Sequence, residues 1–314
     1  MDNKEEIITP TDIGVSAPVN KTNSNSKLIK SLILVIGFLL LISYYLFSSP
    51  YRVEDVTIHF SSNDSLSQIS NDLGKNNIVR YPFVFKSFIY VLSLDKHISA
   101  GDYLFKKDEG FFGVFWQVLK GHHGVEKIRI TFKEGMTTND MVKILADKIP
   151  SFRKDLFLSD ARVKEGYLFP DTYFFYPLST TDEILTEITN NFKNKLNPLE
   201  SEIKASGRSL PDIIIMASIL EKEASGKEDA SIISGILWKR IKLGMALQVD
   251  AAPETYKMKG LPSEPISNPG LVSIKAAIHP VDSPYMFYLH DSNRVAHFAV
   301  DFKEHKSNIA RYLK

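Results

Sequence analysis

An α+β protein hung from one transmembrane helix is what the sequence predicts. Three observations predict it: a single apolar run long enough to cross a bilayer, segments of alternating polarity that read as strands, and helix-spaced apolar stripes set between those segments. The chain has 314 residues, with 38 basic against 37 acidic side chains and no cysteine. A formal charge of +1 provides no basic field, which argues against nucleic acid as a partner. Without cysteine there is no disulfide framework, thiolate zinc site, iron–sulfur cluster or cysteine nucleophile. At roughly 150 residues per domain the length suits two domains, each able to bury a core unaided.

The apolar run spans residues 28–47, and its only charge is Lys30. Twenty helical residues rise about 30 Å, the thickness of a bilayer's hydrocarbon core. A cleaved signal peptide is the other reading of such a run, but it needs small residues at the cleavage site, and this one ends in Tyr44, Tyr45, Leu46 and Phe47. Lys21, Lys27 and Lys30 precede the uninterrupted apolar stretch that begins at Ser31 and only Arg52 follows it closely, so residues 1–27 are expected in the cytoplasm. That tail, rich in Asn, Ser, Thr and Lys, lacks the apolar surface to fold and is expected to be disordered. The expected span is 28–48, with everything beyond it outside the cytoplasmic membrane.

Residues 51–124 form the first extracytoplasmic unit. Val56, Ile58 and Phe60 alternate with polar neighbours as in a half-buried strand, and Leu66, Ile69 and Leu73 then recur at helical spacing up to Gly74. Pro82 opens a second helix, residues 103–105 read as a short strand, and residues 111–119 form a helix stopped by Gly121. Gly121-His122-His123-Gly124 is expected to be a solvated linker, since adjacent histidines seldom converge on one metal ion.

The second unit, 125–314, begins with Ile128, Ile130 and Phe132 on one face of a strand. Thr137 and Asp140 make a capping box ahead of Met141, Ile144 and Leu145. Thr180 or Thr181 caps a helix carrying Ile184, Leu185, Ile188 and Phe192.

The chemically informative segment follows. In residues 213–220 every position except Ser218 is apolar, so a helix there has no wet face and must be buried all round. Glu221 comes next, on the face of Ile214, Ala217 and Ser218, while Glu223 is rotated by about 200° onto the face of Met216, Ile219 and Leu220. The two carboxylates therefore point in different directions. Ala217, Ser218, Ala224 and Ser225 are small and leave space beside Glu221, as a general acid enclosed against a ligand requires. A solvated helix end paired with Lys222 or Lys227 is the other reading, and spacing alone leaves both open.

Ala217-Ser218-Ile219-Leu220-Glu221-Lys222-Glu223 resembles the YceG-like family of membrane-anchored endolytic murein transglycosylases. The resemblance runs in order through Glu165-Gly166-Tyr167-Leu168-Phe169-Pro170-Asp171-Thr172-Tyr173, Leu243-Gly244-Met245-Ala246-Leu247-Gln248-Val249-Asp250 and Gly260-Leu261-Pro262. It continues through Pro265-Ile266-Ser267-Asn268-Pro269-Gly270, Ala276-Ala277-Ile278-His279-Pro280 and Glu304-His305, and Gly101-Asp102-Tyr103-Leu104-Phe105 and Glu134-Gly135-Met136 also fit. One departure stands out: where the family carries a substantial insertion after the Gln-x-Asp segment, Asp250 is followed directly by Ala251-Ala252-Pro253 and Glu254-Thr255-Tyr256.

The resemblance implies a LysM-like α+β unit at 51–124, a YceG-like α+β catalytic unit at 125–314, and Glu221 as the catalytic residue. It also implies the reaction. The bond between N-acetylmuramic acid and N-acetylglucosamine is cleaved without water, the muramyl 6-hydroxyl closing a 1,6-anhydro ring, and one carboxyl serves as acid and then base. Candidate substrate-binding residues are Ser218, Glu223, Gln248, Asp250, Glu165 and Asp171. For Glu223 a helix-end network is an equal alternative, for Gln248 and Asp250 a hydrogen-bonded loop, and for Glu165 and Asp171 a folded corner around core aromatics. No metal and no cofactor is expected. The expected partners are peptidoglycan glycan strands, the lipid bilayer through one helix, and cell-wall synthases. Two other functions remain: a muramidase in which Asp250 activates water opposite Glu221, and a non-catalytic glycan-binding anchor.

Overall fold

The computed structural model describes residues 23–161, 165–224 and 226–313. Most of the expected cytoplasmic tail, and Ser225, lie outside the described residues. Helix α1 (Asn23–Phe47) contains the apolar run; its stretch Ser26–Phe47 has a mean hydropathy of 2.2, and only its last turn, at Tyr45 and Phe47, packs on the rest of the chain. A helix of that length and composition, bare of protein along most of its length, fits a membrane anchor.

The first unit follows the expected order: β1 (Val56–Phe60), α2 (Leu66–Lys75), α3 (Pro82–Val91), β2 (Gly101–Phe105) and α4 (Phe111–Lys120). Ser65 and Gln68 form a reciprocal capping box that starts α2, Pro82 starts α3, and Gly121 ends α4 in the left-handed conformation. β1 and β2 pair antiparallel from Val56↔Phe105 to Phe60↔Gly101, and Phe60, Leu73, Phe85, Ile89, Tyr103 and Phe115 fill the core beneath them.

Residues beyond the first unit are built round two cores where the sequence suggested one unit. The nearer core lies between β3 (Ile128–Thr131), α5 (Thr138–Lys148), α6 (Lys154–Ala161), β4 (Thr172–Phe175) and α7 (Thr181–Leu196), with Ile130, Met141, Leu145, Phe157 and Ile188 at its centre. Thr137 caps α5 and Thr180, rather than Thr181, caps α7, each through a capping box. The farther core is mainly helical: α8 (Glu200–Ala205), α9 (Leu210–Glu223), α10 (Lys227–Lys242) and α11 (Leu271–Ile278), followed by β5 (Phe287–His290), β6 (Ala296–Ala299) and α12 (Phe302–Tyr312). α9 runs through the middle of that core, and residues 213–220 are buried throughout. Among the described residues the sheets are three antiparallel pairs, β1–β2, β3–β4 and β5–β6.

The expected solvated linker is instead part of a junction. The His123 ring packs between Tyr103, at 4.4 Å, and Tyr176, at 4.7 Å, while its carbonyl accepts the Leu104 amide. Next to it, His59 on β1 reaches Asp102 at 2.6 Å through Nδ1 and Glu183 on α7 at 2.8 Å through Nε2. Asp102 is wholly buried and its other oxygen accepts the Leu178 amide, which binds the first unit to the second a second time. Aromatic packing and a buried charge outweigh the local polarity that marks this segment as a linker.

Candidate active site

Ser209 caps α9 by accepting the Asp212 amide, and Pro211 lies in its first turn. The helix then passes through the core and delivers Glu221 half-buried at its far end. Oε2 of Glu221 accepts two hydrogen bonds, from the Gly270 amide at 2.9 Å and from the Ser273 hydroxyl at 2.7 Å. Gly270 is the N-cap of α11 and Ser273 lies in its first turn, so the carboxylate sits on the positive end of that helix. Among the described residues Oε1 carries no hydrogen bond and is the oxygen left for a ligand.

A second carboxyl, which the spacing on α9 did not indicate, meets Glu221 from the loop after β3. Glu134 is exposed along much of its side chain but turns its carboxyl against Gly270; a Cβ on Gly270 would lie 1.8 Å from Glu134 Oε1. Its pKa is raised, first by the desolvation of that corner and then by the Glu221 charge beside it. Gly135, at φ +75°, turns the loop tightly under Glu221, where a Cβ would be 3.3 Å from Glu221 Cγ and 3.6 Å from Lys222 Nζ. The signal that could have found this residue is the Glu134-Gly135-Met136 motif, which pattern alone could not place against a helix so far along the chain.

Asn268 joins the segments and was likewise not singled out. Wholly buried, it accepts the Gly166 and Leu168 amides on Oδ1 and donates from Nδ2 to the Met136 carbonyl and to Glu165. Its backbone also exchanges hydrogen bonds with Gly135 and Met136. Two residues on lies Gly270, so one buried amide sets the register of the loop that holds Glu134 and the turn that holds Glu221.

The other sequence candidates are distributed around this centre. Glu165 accepts the Thr138 amide and the Asn268 side chain, with its pKa raised by burial, and it lines a cavity of about 520 Å³ with Tyr167, Pro211, Ile215, Ser263, Glu264 and Pro265. Ser218 is wholly buried; its hydroxyl donates to the Ile215 carbonyl and accepts the Ile266 amide, so it pins the 265–270 segment and is out of a sugar's reach. The room expected beside the small residues Ala217 and Ser218 is filled by that segment. Glu223 faces elsewhere: it accepts the Ala251 amide on Oε1 and the Tyr288 hydroxyl on Oε2, a helix-end network. Gln248, at φ +55°, and Asp250 are exposed on the same loop, where the Tyr256 hydroxyl donates to Asp250 at 2.6 Å. Asp171 is farther off, on a cavity of about 550 Å³ lined by Asn190, Asn191 and Asn194; burial opposes ionisation there, but Asn191, the Thr172 amide and Lys195 hold its carboxyl below the usual range. The structure thus gathers Glu221, Glu134, Gly270, Ser273 and the Glu165–Asn268 pair, and leaves Glu223, Gln248, Asp250 and Asp171 outside that group.

The model of the YceG-like family matches residues 58–254 and 253–311, two stretches that overlap at 253–254. The endolytic murein transglycosylase of Bacillus subtilis is 25% identical over 307 residues, an alignment covering 82% of this chain and 85% of that protein. The protein of the same name from Streptococcus pneumoniae serotype 2 is 21% identical over 322 residues, covering 82% of this chain but 58% of the longer relative. Among solved structures, a YceG-like protein from Listeria monocytogenes superposes with a TM-score of 0.54 at 22% identity, covering 81% of this chain and 99% of that one; it shows the fold. With the family model spanning nearly all of the chain beyond α1, the chain belongs to the YceG-like family.

Proposed function

We propose that this protein is a lyase that cuts peptidoglycan glycan strands as an endolytic murein transglycosylase, held to the cytoplasmic membrane by α1 with its N-terminus inside and its catalytic unit outside. The observation that carries the reading is the position of Glu221: a carboxyl at the end of a buried helix, with one oxygen anchored by Gly270 and Ser273 and the other without a hydrogen bond among the described residues. The curated relatives named endolytic murein transglycosylase support the same chemistry.

In the proposed mechanism Glu221 protonates the glycosidic oxygen as the bond to the muramyl anomeric carbon breaks. The resulting carboxylate accepts the proton of the muramyl 6-hydroxyl as that oxygen bonds to the same carbon, which closes the 1,6-anhydro ring and restores the acid. The anchored oxygen fixes the carboxyl plane, so a single side chain addresses both protons in turn. Glu134, its pKa raised by desolvation and by the neighbouring Glu221, stands beside Glu221 where it can hydrogen-bond the sugar ring during the step. The LysM-like reading of 51–124, with a role in holding glycan, and an association with cell-wall synthases belong to the same proposal.

Mass spectrometry of products from uncrosslinked glycan strands tests it, comparing the full-length wild type with Glu221→Gln. Wild type is expected to leave muramyl ends lighter by one water than a hydrolysed end, and the variant to lose roughly a thousandfold or more in rate while folding normally. Ends that carry solvent oxygen would select the muramidase reading, and no cleavage by wild type would select the glycan-binding anchor.

A further inference from the structure

Two helices of the first unit leave an apolar surface open beside the end of α1. On α3, Phe83 is 77% exposed, Tyr90 72% and Val91 78%; on α4, Phe112 is 50% exposed and Trp116 54%. α3 already commits Phe85 and Ile89 to the core, so the exposed residues form a second apolar face on the same helix. A helix that is apolar on two faces normally has cover on both. The charges on the two helices are all of one sign: α3 carries only Lys86 and α4 only Lys120, which lies over the Trp116 ring at 5.5 Å, and neither helix contains an acidic residue.

The contacts of α1 say what the cover is. Tyr45, in the last turn of the apolar run, packs on Tyr81 at 5.6 Å and under the Arg80 guanidinium at 5.4 Å. Phe47 packs on Phe88 at 5.9 Å, Phe111 at 4.9 Å and Phe112 at 5.2 Å. These rings hold the starts of α3 and α4 at the depth where α1 leaves the hydrocarbon, the zone that aromatic rings and lysines favour. The open apolar surface is therefore continuous with the anchor.

We propose that the exposed faces of α3 and α4 rest on the outer leaflet of the bilayer that α1 crosses, with Phe83, Tyr90, Val91, Phe112 and Trp116 in the interfacial zone and Lys86 and Lys120 at the lipid phosphates. The proposal rests on the reading of α1 as a membrane anchor. It makes the first unit a membrane-bound platform as well as a connector. A face of aromatic and aliphatic residues edged by lysines matches an interfacially bound helix pair, with phosphatidylglycerol strengthening the contact.

The absence of cysteine allows a direct test on the full-length chain. Single-cysteine variants Ile36→Cys, Phe83→Cys, Val91→Cys, Trp116→Cys and, as a remote control on the exposed part of α8, Lys204→Cys are spin-labelled. Each is reconstituted in vesicles of phosphatidylcholine and phosphatidylglycerol. Collision rates with oxygen, which concentrates in lipid, and with a water-soluble nickel chelate then report depth. The expected oxygen-to-nickel ratio at positions 83, 91 and 116 is at least about threefold that at 204, and the ratio at 36 is higher still. Phe83→Asp combined with Val91→Asp is expected to lower the ratio at 116 toward the control. Ratios at 83, 91 and 116 equal to that at 204, with 36 still lipid-exposed, overturn the docking and leave the anchor standing. A water-exposed label at 36 overturns the anchor itself. Spin–spin broadening at 83 or 91 that disappears on dilution with unlabelled protein identifies a second copy as the cover and also overturns the lipid assignment.

Discussion

Gly270 is the residue on which the candidate site turns, because two acids approach it from different parts of the chain. Its φ of −79° suits any residue, so only space forbids a side chain there. Gly270→Ala leaves the amide that holds Glu221 and drives a methyl group into the Glu134 carboxyl, the free end of a flexible side chain. The expected result is a cleavage rate lowered by roughly tenfold or more, with a melting midpoint within a few degrees of wild type. Glu134→Gln should produce a similar loss if the displaced group is the cause, and glycan-cleavage kinetics beside thermal unfolding measure both. The position of Glu221 at the edge of a core was legible in the sequence, since seven of the eight residues before it, all but Ser218, are apolar, although spacing left its exposure open. Glu134 and Asn268 were not. Their importance lies in contacts between loops remote in sequence, which periodicity does not encode, and Ser218 misled because a small residue signals close approach without saying whether a ligand or the chain makes it.

At the scale of elements, caps and stripes were the dependable signals. Ser65 was not singled out, but Thr137, Thr180, Pro82 and Gly121 each begin or end a helix where the sequence places a boundary, because capping satisfies backbone groups locally. The division of 125–314 into two cores was illegible, since a stripe shows that a helix face is buried and not which neighbour buries it. α10 shows how such a choice is fixed. Gly235 lets it pass close to the chain that returns from α11, and a Cβ there would lie 2.0 Å from the Val281 carbonyl oxygen. Because that obstacle is backbone, Gly235→Ala is expected to destabilise the protein by about 1–3 kcal/mol, measured as a lower denaturant midpoint.

The whole molecule is joined at His59. Burial alone would lower its pKa, but the Asp102 and Glu183 carboxylates raise it to about 9, and His59 in turn helps to hold Glu183 at about 2. A histidine raised from 6.5 contributes fully below pH 6.5 and loses that contribution as pH rises through 9. A glutamate lowered from 4.5 contributes fully above pH 4.5 and loses it as pH falls through 2. The junction is therefore tightest between pH 4.5 and 6.5 and loosens toward pH 9. His59→Ala, which strands the buried Asp102, is expected to cost about 2–3 kcal/mol near pH 6 and progressively less toward pH 9. Thermal unfolding across that range, with limited proteolysis of the 121–127 segment, reads the effect. Nothing in the sequence announced this triad, whose members come from two strands and a helix of different units.

Phe47 is clasped by three aromatic rings, and the His59 triad ties the next unit to the first, so both joints are braced by side chains. A body braced in this way reaches its target chiefly by being carried to it. On the proposed reading the carboxyl pair patrols at a constant altitude above the lipid, and polymer that has already drifted outward past that altitude escapes scission.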